Sequence, residues 1–241
     1  MTWFATGGAE YAEHRPTYPA ELADVLASSV PDRELAVDVG CGTGQLTRLL
    51  AERFDAVVGV DPSASQIDAA AGPPNIEYRV GSAESLPVAD GSASSVTAAQ
   101  AAHWFDLPAF YNEVQRIARP GALLALITYG VVAPGDDIAE RFDRFYRHEI
   151  GRYWPPERAH VDSGYADLPF PFERVDIAAS PIERDWNLED FVGYVETWSA
   201  VRRARDTGAP DLVAALRADL APHWREPRSV RWPVTVVAGY L

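Results

Sequence analysis

The sequence predicts an α/β protein, doubly wound, with a mostly parallel sheet and helices on both faces. Two observations carry this. Short apolar runs alternate with segments of helical spacing through the first 130 residues, and the first apolar run, "LAVDVG", ends in a turn with glycine at every second position, Gly40, Gly42 and Gly44. Strands that alternate with helices build parallel sheets, because each crossover lays a helix on one face.

The elements follow in order. "LAVDVG" (Leu35 to Gly40) reads as a buried strand and "QLTRLLAERF" as a helix with Leu46, Leu49 and Leu50 on one face. "AVVGVD" (Ala56 to Asp61) is a second strand, "SASQIDAAA" a helix opened by a serine cap after Pro62, and "IEYRVG" a third strand. "SSVTAAQ" (Ser94 to Gln100) is a weaker fourth strand. "PAFYNEVQRIA" is a helix with Phe110, Val114 and Ile117 inward, and "ALLALITYG" (Ala122 to Gly130) is a fifth strand after the "RPG" turn.

Beyond Gly130 the rhythm changes. Residues 131–171 are rich in aromatics, arginines and prolines, with no clear strand, and read as an inserted cap or lid over one edge of the sheet. "RVDIAASPIERDWN" can form a strand, Leu188 to Arg205 one helix, "PDLVAALRADLAPHW" another, and "SVRWPVTVVAGYL" a final strand. Two late strands would complete a seven-stranded sheet. The expected division is a core with an N-terminal helix at 1–130, the cap at 131–171, and a part completing the sheet at 172–241.

Composition narrows the function classes. The chain has 241 residues, 47% hydrophobic and 23% charged, enough for a sizeable core. No apolar run approaches the roughly 18 residues of a membrane span, and the N-terminus lacks the zones of a signal peptide, so a cytoplasmic protein is expected. The single cysteine, Cys41, excludes an internal disulfide, and five scattered histidines give no metal-ligand cluster. A formal charge of −14 repels a phosphate backbone, which makes nucleic acid an unfavourable partner.

The glycine turn carries the chemistry. In open parallel sheets ligands sit at the carboxyl ends of the strands, and the first strand-to-helix turn is a usual contact. Glycine lets backbone approach a ligand closely, at an entropic cost that a plain turn seldom repeats three times. Asp61 lies 17 positions after Gly44 at the end of the second strand, where a carboxylate can accept both hydroxyl hydrogens of a ribose. The dinucleotide fingerprint G-x-G-x-x-G is not met, since Gln45 stands where its third glycine should fall. Asp38 precedes the turn, and no lysine or arginine within it favours a phosphate. A nucleoside cofactor fits better than a nicotinamide dinucleotide.

"VDVGCGTG", "GVDPS", "GSAESLP" and "RIARPGALL", in this order and spacing, resemble class I S-adenosylmethionine-dependent methyltransferases, with their Rossmann-like fold. "AEYAEHRPTYP", "QAAHWFD" and "TWSAV" are similar to the small-molecule branch that includes trans-aconitate methyltransferase. The resemblance implies S-adenosylmethionine as cofactor and S-adenosylhomocysteine as product. It implies that Asp38, Gly40, Cys41, Gly42 and Gly44 pass the methionine and ribose portions and that Asp61, followed by Pro62, holds the ribose. Ser82 and Ala83 would face the adenine, with Glu84 able to take the contact of the aspartate that the family has where Ser82 stands. Tyr11, Arg15 and Gln100 match branch motifs on the cofactor side, and Arg15 could pair with the cofactor's carboxylate. Cys41 reads as a small residue that fits the turn.

A sulfonium methyl is already activated, so the protein mainly holds the acceptor in line and removes a proton where there is one. His103, just past the fourth strand, is the candidate general base; the competing reading is a packed histidine with one hydrogen bond. A carboxylate acceptor needs no base, and Arg152 or Arg158 could orient it by a bidentate bond. Trp104, Tyr153, Trp154 and Trp198, with His148 and His160, are pocket candidates whose alternative is core or lid packing. The expected function is methylation, chiefly at oxygen, of a small organic acid or secondary metabolite. The alternative is a relative that binds the cofactor without methylating.

Overall fold

The computed structural model describes residues 16–225 and 227–241. Its centre is a seven-stranded sheet in the order β3-β2-β1-β4-β5-β9-β6. The strands are β1 (Leu35–Val39), β2 (Ala56–Asp61), β3 (Ile76–Val80), β4 (Ala93–Ala99), β5 (Ala118–Tyr129), β6 (Arg174–Val175) and β9 (Val234–Tyr240). The first five strands pair in parallel, whereas β9 runs antiparallel to both β5 and β6. The alternation of the first half and the seven-stranded sheet both appear as the sequence predicts.

Strand β1 takes the middle because both of its faces are apolar: Ala36, Val37 and Val39 are all buried. It pairs with β2 on one side and β4 on the other, so the winding reverses between β1 and β4. That reversal opens a crevice at the carboxyl ends of these strands. Helices α1 (Ala20–Ser28) and α2 (Gln45–Ala51) cover one face through Leu22, Leu26, Leu46 and Leu50. Helix α4 (Leu107–Ile117), capped by the Asp106 carboxylate, covers the other through Phe110, Val114 and Ile117. The short α3 (Ala64–Ala69) lies between β2 and β3, and Ser63 precedes it without making a side-chain cap, contrary to the serine cap expected there.

The segment after Gly130 holds no named strand, in keeping with the sequence reading, and is helical: α5 (Asp136–Arg144) runs into a π-helical turn (Phe145–Glu149), and α6 (Arg158–Asp162) follows. The rest of the second half departs from the sequence reading in three places. "RVDIAASPIERDWN" holds two strands, β6 and β7 (Ile182–Trp186), which belong to different sheets. The expected single helix from Leu188 is two, α7 (Leu188–Glu196) and α8 (Ser199–Asp206). The Thr197 hydroxyl donates to the Tyr194 carbonyl at 2.7 Å, and Trp198 turns to extended backbone at ψ 137. The final strand also divides, at Pro233, which has no N–H for a ladder. Before it, β8 (Arg228–Trp232) pairs with β7 in a two-stranded sheet; after it, β9 enters the main sheet.

These elements, with α9 (Leu212–Leu220), form a helical layer over the sheet. Its interior is aromatic. Trp198 is buried among Phe142, Phe145, Tyr146, Trp154 and Tyr194, with ring centroids 5.3–6.3 Å apart. Phe191 and Trp232 are fully enclosed beside them. Burying each such side chain contributes about 1.5–3 kcal/mol by transfer. Among the described residues, no helix is long and apolar enough to cross a membrane.

Candidate functional site

The turn between β1 and α2 is shaped by backbone that only glycine accepts without strain. Gly40 has φ +71°, and a Cβ there would stand 2.5 Å from that of Ala101. Gly44 caps α2 in the left-handed region at φ +86°. The turn is tied to β2 by the N–H groups of Gly40 and Cys41, which both donate to the Val60 carbonyl. Asp61 completes the clamp: Oδ2 accepts the Gly42 N–H at 2.9 Å and Oδ1 accepts the Ser63 N–H at 2.8 Å. Each carboxylate oxygen then keeps a lone pair for a further donor.

Behind the turn lies Asp38, wholly buried. It accepts hydroxyl hydrogen bonds from Thr47 at 2.7 Å and Thr97 at 2.9 Å. Burial pushes its pKa up to about 6, the Asp61 charge adds to the rise, and the two hydroxyls restrain it. Cys41 is also buried, and burial with the neighbouring carboxylates drives its thiol well above the usual range, as befits a packing residue and not a nucleophile.

A cavity of about 210 Å³ opens against this turn. Asp38, Gly40, Cys41, Gly42, Asp61, Pro62, Gln100 and Trp104, all singled out from the sequence, line it. Gly42 faces open space, since the nearest atom to a Cβ there would be Gln66 Oε1 at 3.9 Å. Gln100 holds φ +54°, uncommon for a residue with a side chain. Its amide is anchored at both ends: Nε2 donates to the Tyr129 carbonyl and Oε1 accepts from the Thr128 hydroxyl, both at 2.9 Å.

Other sequence candidates lie away from this cavity. Ser82 and Ala83 follow β3, beside the Gly81 N–H that donates to the Asp61 carbonyl. Glu84 is exposed and accepts the Asp106 N–H at 3.1 Å. Tyr153 and Trp154 stand in the helical layer and Trp198 in its core. Tyr11 and Arg15 lie outside the described residues. Tyr18, Gln66, Phe105 and Tyr129, not singled out from the sequence, also line the cavity. Gln66 was legible in principle, one helical turn beyond Asp61 on a short helix; Tyr129 was hidden because it reads as ordinary strand core.

His103 sits on a 3-10 turn (Ala102–Trp104) just beyond the cavity wall. Its Nδ1 lies 2.7 Å from the Oη of fully buried Tyr165, which itself has φ +64°. Burial pulls the imidazole pKa down to about 3, with Arg158 and His160 adding charge repulsion. The ring therefore stays neutral near pH 7 and is a weak base, the behaviour of the packed histidine weighed against the general base.

A doubly wound sheet with a glycine turn, an acidic clamp at the end of β2 and a nucleoside-sized crevice defines a Rossmann-like cofactor-binding enzyme. Residues 37–126 match the methyltransferase domain family. A Dictyostelium discoideum protein named as a methyltransferase is 34% identical over 221 residues, covering 90% of this chain and 84% of its own. An uncharacterised methyltransferase of Mycobacterium tuberculosis is 40% identical over 125 residues, 52% of this chain and 51% of its own. A solved structure described as a type II methyltransferase from Anaeromyxobacter dehalogenans superposes with a TM-score of 0.88 at 42% identity, covering 94% of this chain and 97% of the other. The chain belongs to this methyltransferase family. It is an S-adenosylmethionine-dependent enzyme, and S-adenosylhomocysteine is the demethylated form that the same site accepts.

The residues present fit that cofactor. The space in front of Gly42 is the cradle a side chain would fill, and Asp61 offers free lone pairs toward a diol. Asp38 supplies negative potential on the side of a cationic ligand, and Leu46, Phe105 and Tyr129 give the apolar walls that a nucleoside needs.

Proposed function

We propose that this enzyme methylates an oxygen, carboxylate or hydroxyl, of a small organic molecule in the cytoplasm. The observation that carries the reading is the crevice of about 210 Å³, walled by Leu46, Trp104, Phe105 and Tyr129, which suits a small molecule, on a chain whose charge of −14 disfavours nucleic acid. Bound S-adenosylmethionine supplies an activated methyl. The protein's share is positioning: Asp61 takes the ribose hydroxyls, Gly40 and Gly42 let the backbone approach, and Trp104 stands at the side where the acceptor enters. Pro62 and the Ser82–Glu84 loop border the adenine. His103, neutral and bonded to Tyr165, shapes the acceptor side without drawing a proton.

Calorimetric titration of S-adenosylmethionine, S-adenosylhomocysteine and NAD tests the cofactor reading. Both sulfur nucleosides should bind and NAD should not. Transfer of labelled methyl to a set of small acids and phenols then tests the acceptor class. Cofactor binding without methylated product from any of them would favour the non-methylating alternative.

A further inference from the structure

Helix α3 turns its polarity inward. Of its six residues only Gln66 is buried, at 7% exposure, while Ile67 beside it is left half-buried. Glutamine is mostly a surface residue, because a buried amide needs partners for two donor hydrogens and an acceptor oxygen. Among the described residues the Gln66 side chain has no hydrogen-bond partner, although it lines the cavity. Its Oε1 stands 3.9 Å from where a Cβ on Gly42 would lie, so the amide is aimed into the space before the glycine turn. A helix that buries an unmatched amide in preference to the neighbouring isoleucine loses stability, and a ligand that matches the amide restores it.

The backbone ties this amide to Asp61. Gln66 follows Asp61 by five positions, and Pro62 stiffens the step between them. Asp61 Oδ1 accepts the Ser63 N–H at 2.8 Å, and the Ser63 carbonyl accepts the Gln66 N–H at 3.0 Å. On the other side Asp61 Oδ2 holds the Gly42 N–H at 2.9 Å. Carboxylate, glycine backbone and amide therefore border one space, and a ligand that reaches the first two meets the third.

A nucleoside seated there presents a defined edge to Gln66. With both hydroxyl hydrogens accepted by Asp61, the ribose has no donor left for the amide. Along the same edge the purine carries N3, which only accepts, whereas its N1 and amino group point the opposite way. An amide N–H complements N3; a carboxylate or an aliphatic side chain in this place does not. We infer that Gln66 is a specificity-determining residue for the cofactor, its Nε2–H donating to the purine N3 of the adenosyl group. This rests on the S-adenosylmethionine reading with the ribose at Asp61, and deepens it by naming the atom of the base that the site reads.

The test is calorimetric titration of the full chain with three ligands: S-adenosylhomocysteine, its 3-deaza analogue, which replaces N3 by C–H, and its 7-deaza analogue, which alters the base elsewhere. The buffer is basic enough to keep all three bases neutral. Wild type should bind the 3-deaza analogue about tenfold more weakly than the parent, the ratio expected for one lost hydrogen bond to a buried donor, and the 7-deaza analogue within about threefold. Gln66→Leu, which keeps the bulk and removes the donor, should bind the parent about tenfold more weakly and no longer distinguish it from the 3-deaza analogue. Gln66→Met serves in its place if that variant does not fold. A purely structural glutamine would weaken all three ligands alike and leave their ratios unchanged, and that result would overturn the proposal. Equal binding of parent and 3-deaza analogue by wild type would overturn it as well. Failure of wild type to bind S-adenosylhomocysteine at all would overturn the cofactor reading and this proposal with it.

Discussion

The Asp61 carboxylate and the Gly42 backbone are joined at the cavity wall, Oδ2 accepting the Gly42 N–H at 2.9 Å. One carboxylate thus fixes the glycine turn and offers its remaining lone pairs to a ligand. Asp61→Ala removes both functions. Two hydrogen bonds to a charged acceptor are worth about 1.5–3 kcal/mol each, so S-adenosylhomocysteine affinity should fall at least about 100-fold by calorimetry. An affinity within threefold of wild type would mean that the ribose lies elsewhere.

Asp38 makes cofactor binding depend on pH. Its pKa of about 6 means that the buried carboxyl is half protonated near pH 6. A cationic ligand favours the ionised form, so S-adenosylmethionine affinity should rise as pH increases through 6 and level off above 7, changing by up to about tenfold per unit below the pKa. Because the folded pKa lies above the unfolded one, the same group lowers the stability of the ligand-free protein as pH rises from about 4 to 6. Asp38→Asn should flatten the affinity profile and leave in the stability profile only the opposite slope that His103 contributes; an affinity slope surviving in that variant would assign it to another group.

The first half of the fold was legible because each element announces itself locally. "LAVDVG" and "AVVGVD" are short apolar runs between turn signals, and the leucines of α2 recur at helical spacing. The glycine turn and Asp61 were legible for the same reason, since both depend on strand ends that the sequence marks. The second half was not. The break after Thr197 comes from one hydroxyl competing for the Tyr194 carbonyl, and nothing in residue type distinguishes it from a helix interior. The split at Pro233 was written in the sequence, yet its outcome, two strands in two sheets, depends on partners far along the chain. Tyr165, the partner of His103, is 62 positions away and held at positive φ by tertiary packing.

The His103–Tyr165 pair predicts acid lability. The imidazole pKa is pulled from 6.5 to about 3 by burial. Below pH 6.5 the unfolded chain takes a proton that the folded chain refuses, so stability is lost as pH falls from 6.5 toward 3. Between pH 7 and 5 this amounts to about 2 kcal/mol from His103 alone, and Asp38 works in the opposite sense over the same interval. Urea unfolding of Asp38→Asn at the two pH values therefore measures it, and adding His103→Gln should remove most of the difference. If the pH–rate profile instead shows an acid limb, rate falling below about 6.5, that disappears in His103→Gln, the histidine titrates during turnover and acts as the base.

Trp198 separates core from pocket. It is 4% exposed, and its ring contacts are with the side chains of the helical layer, not with the residues lining the cavity. Trp198→Ala should therefore act as a large-to-small core substitution, destabilising by about 3–5 kcal/mol in urea unfolding. The remaining folded protein should bind S-adenosylhomocysteine within twofold of wild type, because Asp61 and the glycine turn are untouched. Trp198→Phe should recover much of the stability, since the neighbouring rings can close on a smaller aromatic. A variant with wild-type stability but impaired methyl transfer would contradict this. It would place Trp198 against the acceptor and require the layer around Phe142 and Tyr146 to open during turnover.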